Sequence, residues 1–182
     1  MAGMTQHAAL LLEALAFAAE RHRDQRRKDV DASPYINHPI AVAHLLASEA
    51  GIDDIVVLQA AVLHDTLEDT ATTFAELVER FGPRVAGVVL EVTDDPALPR
   101  AQRKAQQVQR AATRSPEAAL VKLADKTANL RDIASTPPPE WSAERRREYF
   151  DWAKQVVDAL PPVNRTLREA FDTAFAAGRG LT

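Results

Sequence analysis

Cysteine is absent from this chain of 182 residues. Disulfide scaffolds, thiolate zinc sites and cysteine nucleophiles are therefore excluded. Glycine occurs 6 times and aromatic residues make up 5% of the chain, which disfavours a β-sandwich with many tight turns. A long uninterrupted apolar run is missing as well, because Glu13 and Glu20 break the apolar N-terminal segment. We therefore expect no signal peptide and no membrane span, and a cytoplasmic protein.

A basic charge balance is also missing, since the formal net charge is −4 at pH 7. Proteins that bind nucleic acid usually present a strongly basic face, so we expect no nucleic-acid partner. The one dense basic stretch is RHRDQRRK, residues 21–28. On composition alone this stretch is best interpreted as a solvated helix end, where cations are favourable.

Helical periodicity is what the sequence does contain, together with abundant alanine, leucine, glutamate and arginine, which favour helix. We predict an all-α fold: a single compact helical bundle of about eight to ten helices, with one domain over residues 1–182. The sequence contains neither the alternating pattern of a β-strand nor an internal repeat. The proline run at residues 137–139 is interpreted as a loop inside this domain.

Several helix boundaries follow from local signals. The first helix is predicted over residues 5–24. His38 is predicted to lie just outside a helix that Pro39 opens and Gly51 ends, because the residue before a proline avoids helical geometry. The next helix, residues 55–63, is apolar on nearly all sides, which is typical of a helix buried in a core.

The segment LHDTLEDT, residues 63–70, places a histidine and three carboxylates at the end of that apolar helix. No lysine or arginine lies nearby in sequence to pair with them, and burying unpaired charges is costly, so a bound metal ion is an economical explanation. His64 and Asp65 are about 100° apart around a helix, so both can reach one ion. Glu68 and Asp69 lie one turn beyond them, where they could orient or deprotonate a water molecule. The alternative is a helix end with solvated acids, which the helix dipole slightly disfavours.

Two further residues complete a candidate ligand set. Asp125 follows an apolar run, although its helix alone has the pattern of any surface helix, and His38 lies in the rigid turn SPYINHP. Among the other histidines, His7 lies near the terminus, His22 is compatible with the surface, and His44 is interpreted as a core or boundary residue. Two imidazoles and two carboxylates suit manganese, iron or zinc, and the ligand set alone does not choose among them.

The separate histidine, the adjacent His-Asp pair and the distant aspartate resemble the defining pattern of the HD phosphohydrolase superfamily. The resemblance is closer to its alarmone-hydrolase branch, which comprises the hydrolase half of RelA/SpoT proteins and their small stand-alone relatives. Four segments match motifs of that branch in order, and a fifth, EYFDWA at residues 148–153, resembles a later motif. The four are HRDQRRKD (22–29), PYINHP (34–39), LHDTLEDT (63–70) and VKLADK (121–126). The resemblance covers about residues 7–160.

This resemblance implies an enzyme that hydrolyses the 3′-pyrophosphate of (p)ppGpp, releasing pyrophosphate and GDP or GTP. It implies one Mn²⁺ ion, with Zn²⁺ or Fe²⁺ as alternatives, held by His38, His64, Asp65 and Asp125. The residues that match the catalytic acids of the family are Glu68 and Asp69. The residues at positions that contact nucleotide or phosphate are Arg27, Lys28, Asn129, Tyr149 and Arg100, the last standing where a lysine is expected.

Other functions stay open at this point. Relatives of this size are suspected of acting on the adenosine alarmone (p)ppApp or on the 2′-phosphate of NADPH, and nothing in the sequence separates guanine from adenine. A reading from another class is a non-catalytic helical module that binds nucleotides through a relic site, although all four ligand types and both acids are present. The chain ends at Thr182 without the synthetase domain of long RelA/SpoT proteins, so nucleotide synthesis is not expected. The sequence does not distinguish a monomer from a homodimer.

Overall fold

Helices account for all the regular elements in the part of the chain that this computed structural model describes, residues 2–180, with side chains described from Thr5 onward. They are α1 (Ala2–Arg21), α2 (Asn37–His44), α3 (Ile55–Leu63), α4 (Thr66–Asp69), α5 (Phe74–Val92), α6 (Arg100–Ala111), α7 (Pro116–Ser135), α8 (Ala143–Ala159) and α9 (Arg165–Arg179). A π-helical turn, Leu45–Glu49, extends α2. The only β-type pairing within those residues is an isolated bridge between Arg26 and Pro34. The predicted all-α class is confirmed.

Short polar side chains cap the N-termini of five helices and so satisfy backbone N–H groups that have no partner inside the helix. The Asp54 side chain, for example, accepts a hydrogen bond of 2.8 Å from the Val56 backbone N–H at the start of α3. The other caps are Thr73 for α5, Ser115 for α7, Ser142 for α8 and Asn164 for α9.

The core lies around α3 and α7, which contact each other and most of the remaining helices. Residues 57–63 of α3 are all buried, as its apolar composition predicted. Residues 121–128 of α7 are all buried too, including Lys122, Asp125 and Lys126. One continuous cluster of buried apolar side chains extends from α1 to α9. Polar residues of α7 therefore lie in the interior of the protein, next to the end of α3.

One helix boundary differs from the sequence prediction, and one helix is kinked. The prediction that His38 lies outside a helix is wrong, because α2 begins at Asn37 and the His38 backbone N–H already donates to the Tyr35 carbonyl at 3.0 Å. Helix α5 kinks at Gly82, whose φ of 82° and ψ of 163° are not helical, so the element consists of two helical segments that meet at this residue. Glycine reaches this φ without the Cβ clash of other residues.

Within residues 2–180, no helix combines the length and the hydropathy needed to cross a membrane.

Candidate metal centre and catalytic cleft

Three separate elements bring the predicted ligands together. His38 comes from the first turn of α2, His64 and Asp65 directly follow α3, and Asp125 lies in the middle of α7. One ligand atom from each of His38, His64 and Asp65 can be chosen so that all three lie within 4.8 Å of one another. Oδ1 of Asp125 lies 3.2 Å from Nε2 of His38 and 3.9 Å from Nε2 of His64. His38, His64 and Asp65 therefore form one close group, and Asp125 lies beside its two histidines.

The His64 ring is oriented as a metal ligand would be. Its Nδ1 lies 2.8 Å from the Ala61 carbonyl oxygen, which can only accept, so Nδ1 carries a proton and donates it. Nε2 is buried and has no hydrogen-bond partner, although Oδ2 of Asp65 lies only 2.9 Å away. A buried ring nitrogen that faces carboxylate oxygens without a hydrogen bond fits a site for a cation.

The electrostatic field at this point favours positive charge. Burial lowers the pKa of His64, but Asp65 and Asp125 outweigh that effect and raise the pKa to about 9. Burial opposes ionisation of Asp125, yet Lys126 and His38 hold its pKa well below the ordinary value. Burial also opposes ionisation of Asp65, but His64 lowers its pKa, so both carboxylates are ionised at neutral pH, the state in which they can bind a divalent ion.

A surrounding layer of donors holds the carboxylates in place. The Tyr35 hydroxyl donates to Oδ2 of Asp65, and burial together with the Asp65 charge raises the Tyr35 pKa, so the hydroxyl stays protonated. Asn129 Nδ2 donates to Oδ1 of Asp125 at 2.6 Å, and Lys126 Nζ donates to Oδ2 at 3.0 Å. Such partners orient metal ligands. The sequence analysis missed Tyr35 and Lys126 in this role, although both lie within segments that carry the family resemblance.

The two predicted catalytic acids occupy different environments on α4. Glu68 is half-buried; its Oε2 accepts from the Asp94 backbone N–H at 3.1 Å and its Oε1 lies 3.4 Å from Nη1 of Arg103. Burial raises the pKa of Glu68. Asp69 is exposed, and its Oδ2 accepts from Nε2 of Gln25 at 2.9 Å. Sequence reasoning missed these three partners, because each is brought to α4 from another part of the chain by folding.

A cleft of about 610 Å³ opens beside the ligand cluster, with His38 and Asp69 in its wall. Four of the five predicted substrate contacts also line it, namely Arg27, Lys28, Asn129 and Tyr149. Arg27 Nη2 pairs with Oδ2 of Asp132 at 2.5 Å, and its guanidinium lies 5.8 Å from the centre of the Tyr35 ring. The basic stretch at residues 21–28 therefore contributes cations to the cleft as well as a solvated helix end.

Arg100, the fifth predicted contact, lines a neighbouring cavity of about 570 Å³ together with Lys104 and Arg145. The Lys104 ammonium lies 5.9 Å from the centre of the Tyr149 ring, which belongs to the cleft. Burial lowers the pKa of Lys104, and the charge of Arg100 lowers it further. This second cavity therefore has three cationic side chains in its wall beside Glu144 and Glu148, and one of the cations, Lys104, lies near the Tyr149 ring of the cleft.

Comparison with known proteins agrees with this geometry. The HD-domain family pattern matches residues 14–152. The chain belongs to the HD-domain family. HD domains bind a divalent metal, and His38, His64 and Asp65 are the described residues grouped closely enough to hold one. The superfamily resemblance read from the sequence is confirmed.

Named relatives of this HD domain match along nearly its whole length. The mouse guanosine-3′,5′-bis(diphosphate) 3′-pyrophosphohydrolase MESH1 is 57% identical over 179 residues, which cover 98% of this chain and 99% of the mouse protein. The human protein of the same name is also 57% identical, with the same coverage. A solved structure, described as a metazoan ortholog of SpoT that hydrolyses ppGpp and plays a role in starvation responses, has a TM-score of 0.91 at 48% identity. That match covers 96% of this chain and 97% of the other.

Proposed function

We propose that this protein is a metal-dependent hydrolase that removes the 3′-pyrophosphate of guanosine 3′,5′-bis(diphosphate), releasing pyrophosphate and GDP, or GTP from the pentaphosphate form. The observation that carries the proposal is the convergence of two histidines and two aspartates beside a cleft with cationic walls. Such a cleft suits a substrate with several phosphates. The near full-length identity to the mouse and human pyrophosphohydrolases supports the same substrate.

The metal in this proposal is one Mn²⁺ ion held by His38, His64, Asp65 and Asp125. Two imidazoles and two carboxylates suit this ion, and they suit Fe²⁺ or Zn²⁺ as well. The buried Nε2 of His64, which has no hydrogen-bond partner, supports the assignment. When bound, the ion would lower the pKa of water and polarise a phosphoryl oxygen.

The protein's own side chains would prepare the substrate and move the proton. Glu68 would accept a proton from the attacking water, and its burial favours this role because it raises the pKa of the carboxylate. Asp69 would assist from the wall of the cleft. Arg27 and Lys28 would bind phosphate oxygens and neutralise charge that develops during the reaction. Arg27 would exchange its contact with Asp132 for one with phosphate when substrate enters.

The remaining substrate contacts follow from the walls of the two cavities. Tyr149 lines the cleft, with its ring 5.9 Å from the Lys104 ammonium, and would hold the base or the ribose. Asn129 would contact the nucleotide while it keeps Asp125 oriented. Arg100 would bind phosphate that extends into the neighbouring cavity. We also propose that residues 1–182 form one domain, that the protein acts in the cytoplasm, and that it functions as a monomer or homodimer.

The test is product identification from a panel of nucleotides. Purified protein with Mn²⁺ is incubated separately with ppGpp, ppApp and NADPH, and the products are separated by anion-exchange chromatography. We expect GDP and pyrophosphate from ppGpp, at the highest kcat/KM of the three. Preferred cleavage of ppApp or NADPH would replace the guanine assignment. Binding of all three without any product would indicate a non-catalytic binding module instead.

A further inference from the structure

His22 is a buried histidine to which the proposed reaction gives no role. It is 2% exposed, although its place in a basic stretch was compatible with the surface. Its Nδ1 lies 2.6 Å from Oε1 of Gln25, and its ring packs against Tyr35 with 4.9 Å between the centroids. Burying a polar ring is costly unless its hydrogen bond is made. The contact with Gln25 satisfies Nδ1, whereas Nε2 of His22 is buried without a hydrogen-bond partner.

The hydrogen bonds beyond His22 have a fixed direction. The Gln25 amide nitrogen donates to Oδ2 of Asp69 at 2.9 Å. An ionised carboxylate only accepts hydrogen bonds, so the amide nitrogen must face Asp69 and the amide oxygen must face His22. That oxygen also only accepts, so Nδ1 of His22 carries the proton. The three side chains form one directional chain from a buried imidazole to a predicted catalytic acid.

Asp69 needs such support because of where it lies. It is an exposed residue at the end of α4, a helix of 4 residues, and it lines the cleft. An exposed carboxylate on so short an element samples several rotamers unless a partner holds it. Gln25 is itself anchored, because its backbone N–H donates to the His22 carbonyl at 2.9 Å and its carbonyl accepts from the Tyr35 N–H at 3.1 Å.

We infer that His22 and Gln25 are positioning residues: His22 fixes the Gln25 amide, and Gln25 holds the Asp69 carboxylate at the wall of the cleft. This inference rests on the proposed function, in which Asp69 assists the attacking water. Small displacements of a reacting group lower turnover strongly while leaving substrate binding nearly unchanged. We therefore expect this relay of His22, Gln25 and Asp69 to affect kcat rather than KM.

The first test is a double-mutant cycle on ppGpp hydrolysis with Mn²⁺. We expect Gln25→Ala to lower kcat by about 10-fold with KM changed less than about 2-fold, because Asp69 loses its orientation. In an Asp69→Ala background the same change should lower the residual kcat by less than about 2-fold, because the group that Gln25 acts through is gone. An equal loss in both backgrounds would overturn the inference.

Two substitutions of His22 separate positioning from packing. Asparagine places an amide N–H near the position of Nδ1, whereas leucine fills similar space and donates nothing. We expect His22→Leu to reproduce the kcat loss of Gln25→Ala, and His22→Asn to restore most of it, even if both lower stability. Equal losses in the two variants would contradict the relay.

The control is Gln59→Ala. Gln59 is another buried glutamine, 4% exposed, whose amide donates to the Leu10 carbonyl at 3.1 Å. The Gln59→Ala substitution removes a comparable buried hydrogen bond, so we expect it to lower stability and leave kcat unchanged.

A readout independent of activity is the tautomer of His22, measured by ¹⁵N–¹H NMR on the wild-type protein. The relay requires the Nδ1–H form in the wild type and loss of that preference in Gln25→Ala. An Nε2–H tautomer in the wild type would overturn the inference even if ppGpp is hydrolysed. If the protein cleaves no ppGpp, the proposed function fails while the tautomer still decides whether the relay exists.

Discussion

At the residue scale, Glu68 combines two properties that a proton acceptor needs. The Asp94 backbone N–H and Arg103 fix its carboxylate, and burial raises its pKa. We expect Glu68→Ala to lower kcat by about 10²- to 10⁴-fold, the usual contribution of a general base. Metal content, measured by elemental analysis, should stay at the wild-type value because Glu68 is not among the ligands. Glu79→Ala, which removes an exposed acid from α5, serves as the control and should leave kcat unchanged. A fully active Glu68→Ala variant would remove Glu68 from the mechanism.

The raised pKa of Glu68 also predicts a pH dependence. Burial is the main cause of the shift from the ordinary value of 4.5, and the charges of Asp94 and Asp65 act in the same direction. A base must be ionised to accept a proton, so activity should fall as pH decreases through this raised pKa. We expect the acidic limb of kcat/KM for ppGpp to lie above pH 4.5. Asp94→Asn should move the limb to lower pH because it removes one of the charges. A limb that Asp94→Asn leaves unmoved would contradict this assignment.

At the scale of single helices, the N-cap of α3 can be tested with two neighbouring aspartates, one that caps the helix and one that does not. Asp54 accepts from the Val56 N–H at the start of α3, whereas Asp53 is exposed and lies one residue before the cap. We expect Asp54→Ala to lower the free energy of unfolding by about 1 kcal/mol, the typical value for loss of an N-cap. Asp53→Ala should change it by less than about 0.5 kcal/mol, as for most surface changes. Urea unfolding measures the free energy of unfolding of both variants. Equal effects would show that the Asp54 cap does not stabilise α3.

The elements also show which features of the fold could be predicted from sequence. The burial of α3 was predictable because its apolar run is a local signal. The burial of α7 was not, because Lys122 and Lys126 give it the polar pattern of a surface helix. Packing overrides that pattern: Lys122 Nζ donates to the Val92 carbonyl at 2.9 Å, and Lys126 pairs with Asp125. These partners come from tertiary structure, which a local pattern does not contain.

The candidate site also contains residues that could be predicted from sequence and residues that could not. The four predicted ligands could be named because they match the family pattern, and the fold brings them close together. The donors around them were missed because a single sequence does not show which side chains meet. His22 is the clearest case, since its position in a basic stretch gave no sign that its ring is buried against Tyr35.

At the scale of the whole molecule, the C-terminal helix α9 packs closely on α7 and α8. Gly178 permits one of these contacts, because a Cβ atom at this position would lie 2.0 Å from the Phe150 ring. Phe150 is fully buried, so its ring has little room to move. We expect Gly178→Ala to destabilise the protein by about 1–3 kcal/mol through overpacking.

Gly87→Ala is the control for this prediction. Gly87 lies in α5, where an added Cβ meets nothing within 4 Å. Helix propensity alone should then stabilise the protein by up to about 1 kcal/mol. Thermal unfolding followed by circular dichroism compares the two variants. A Gly178→Ala protein as stable as the wild type would show that α9 can move away from Phe150 at little cost.

We propose that side chains from α2, α7 and the end of α3 together hold one divalent ion. Calorimetric titration of Mn²⁺ into metal-free wild type and Asp125→Asn tests it most directly. We predict one ion per wild-type chain and an affinity lowered by more than about 10-fold in the variant, since even the partners of metal ligands contribute that much. Equal affinity in the two proteins, or no binding in the wild type, would contradict the account.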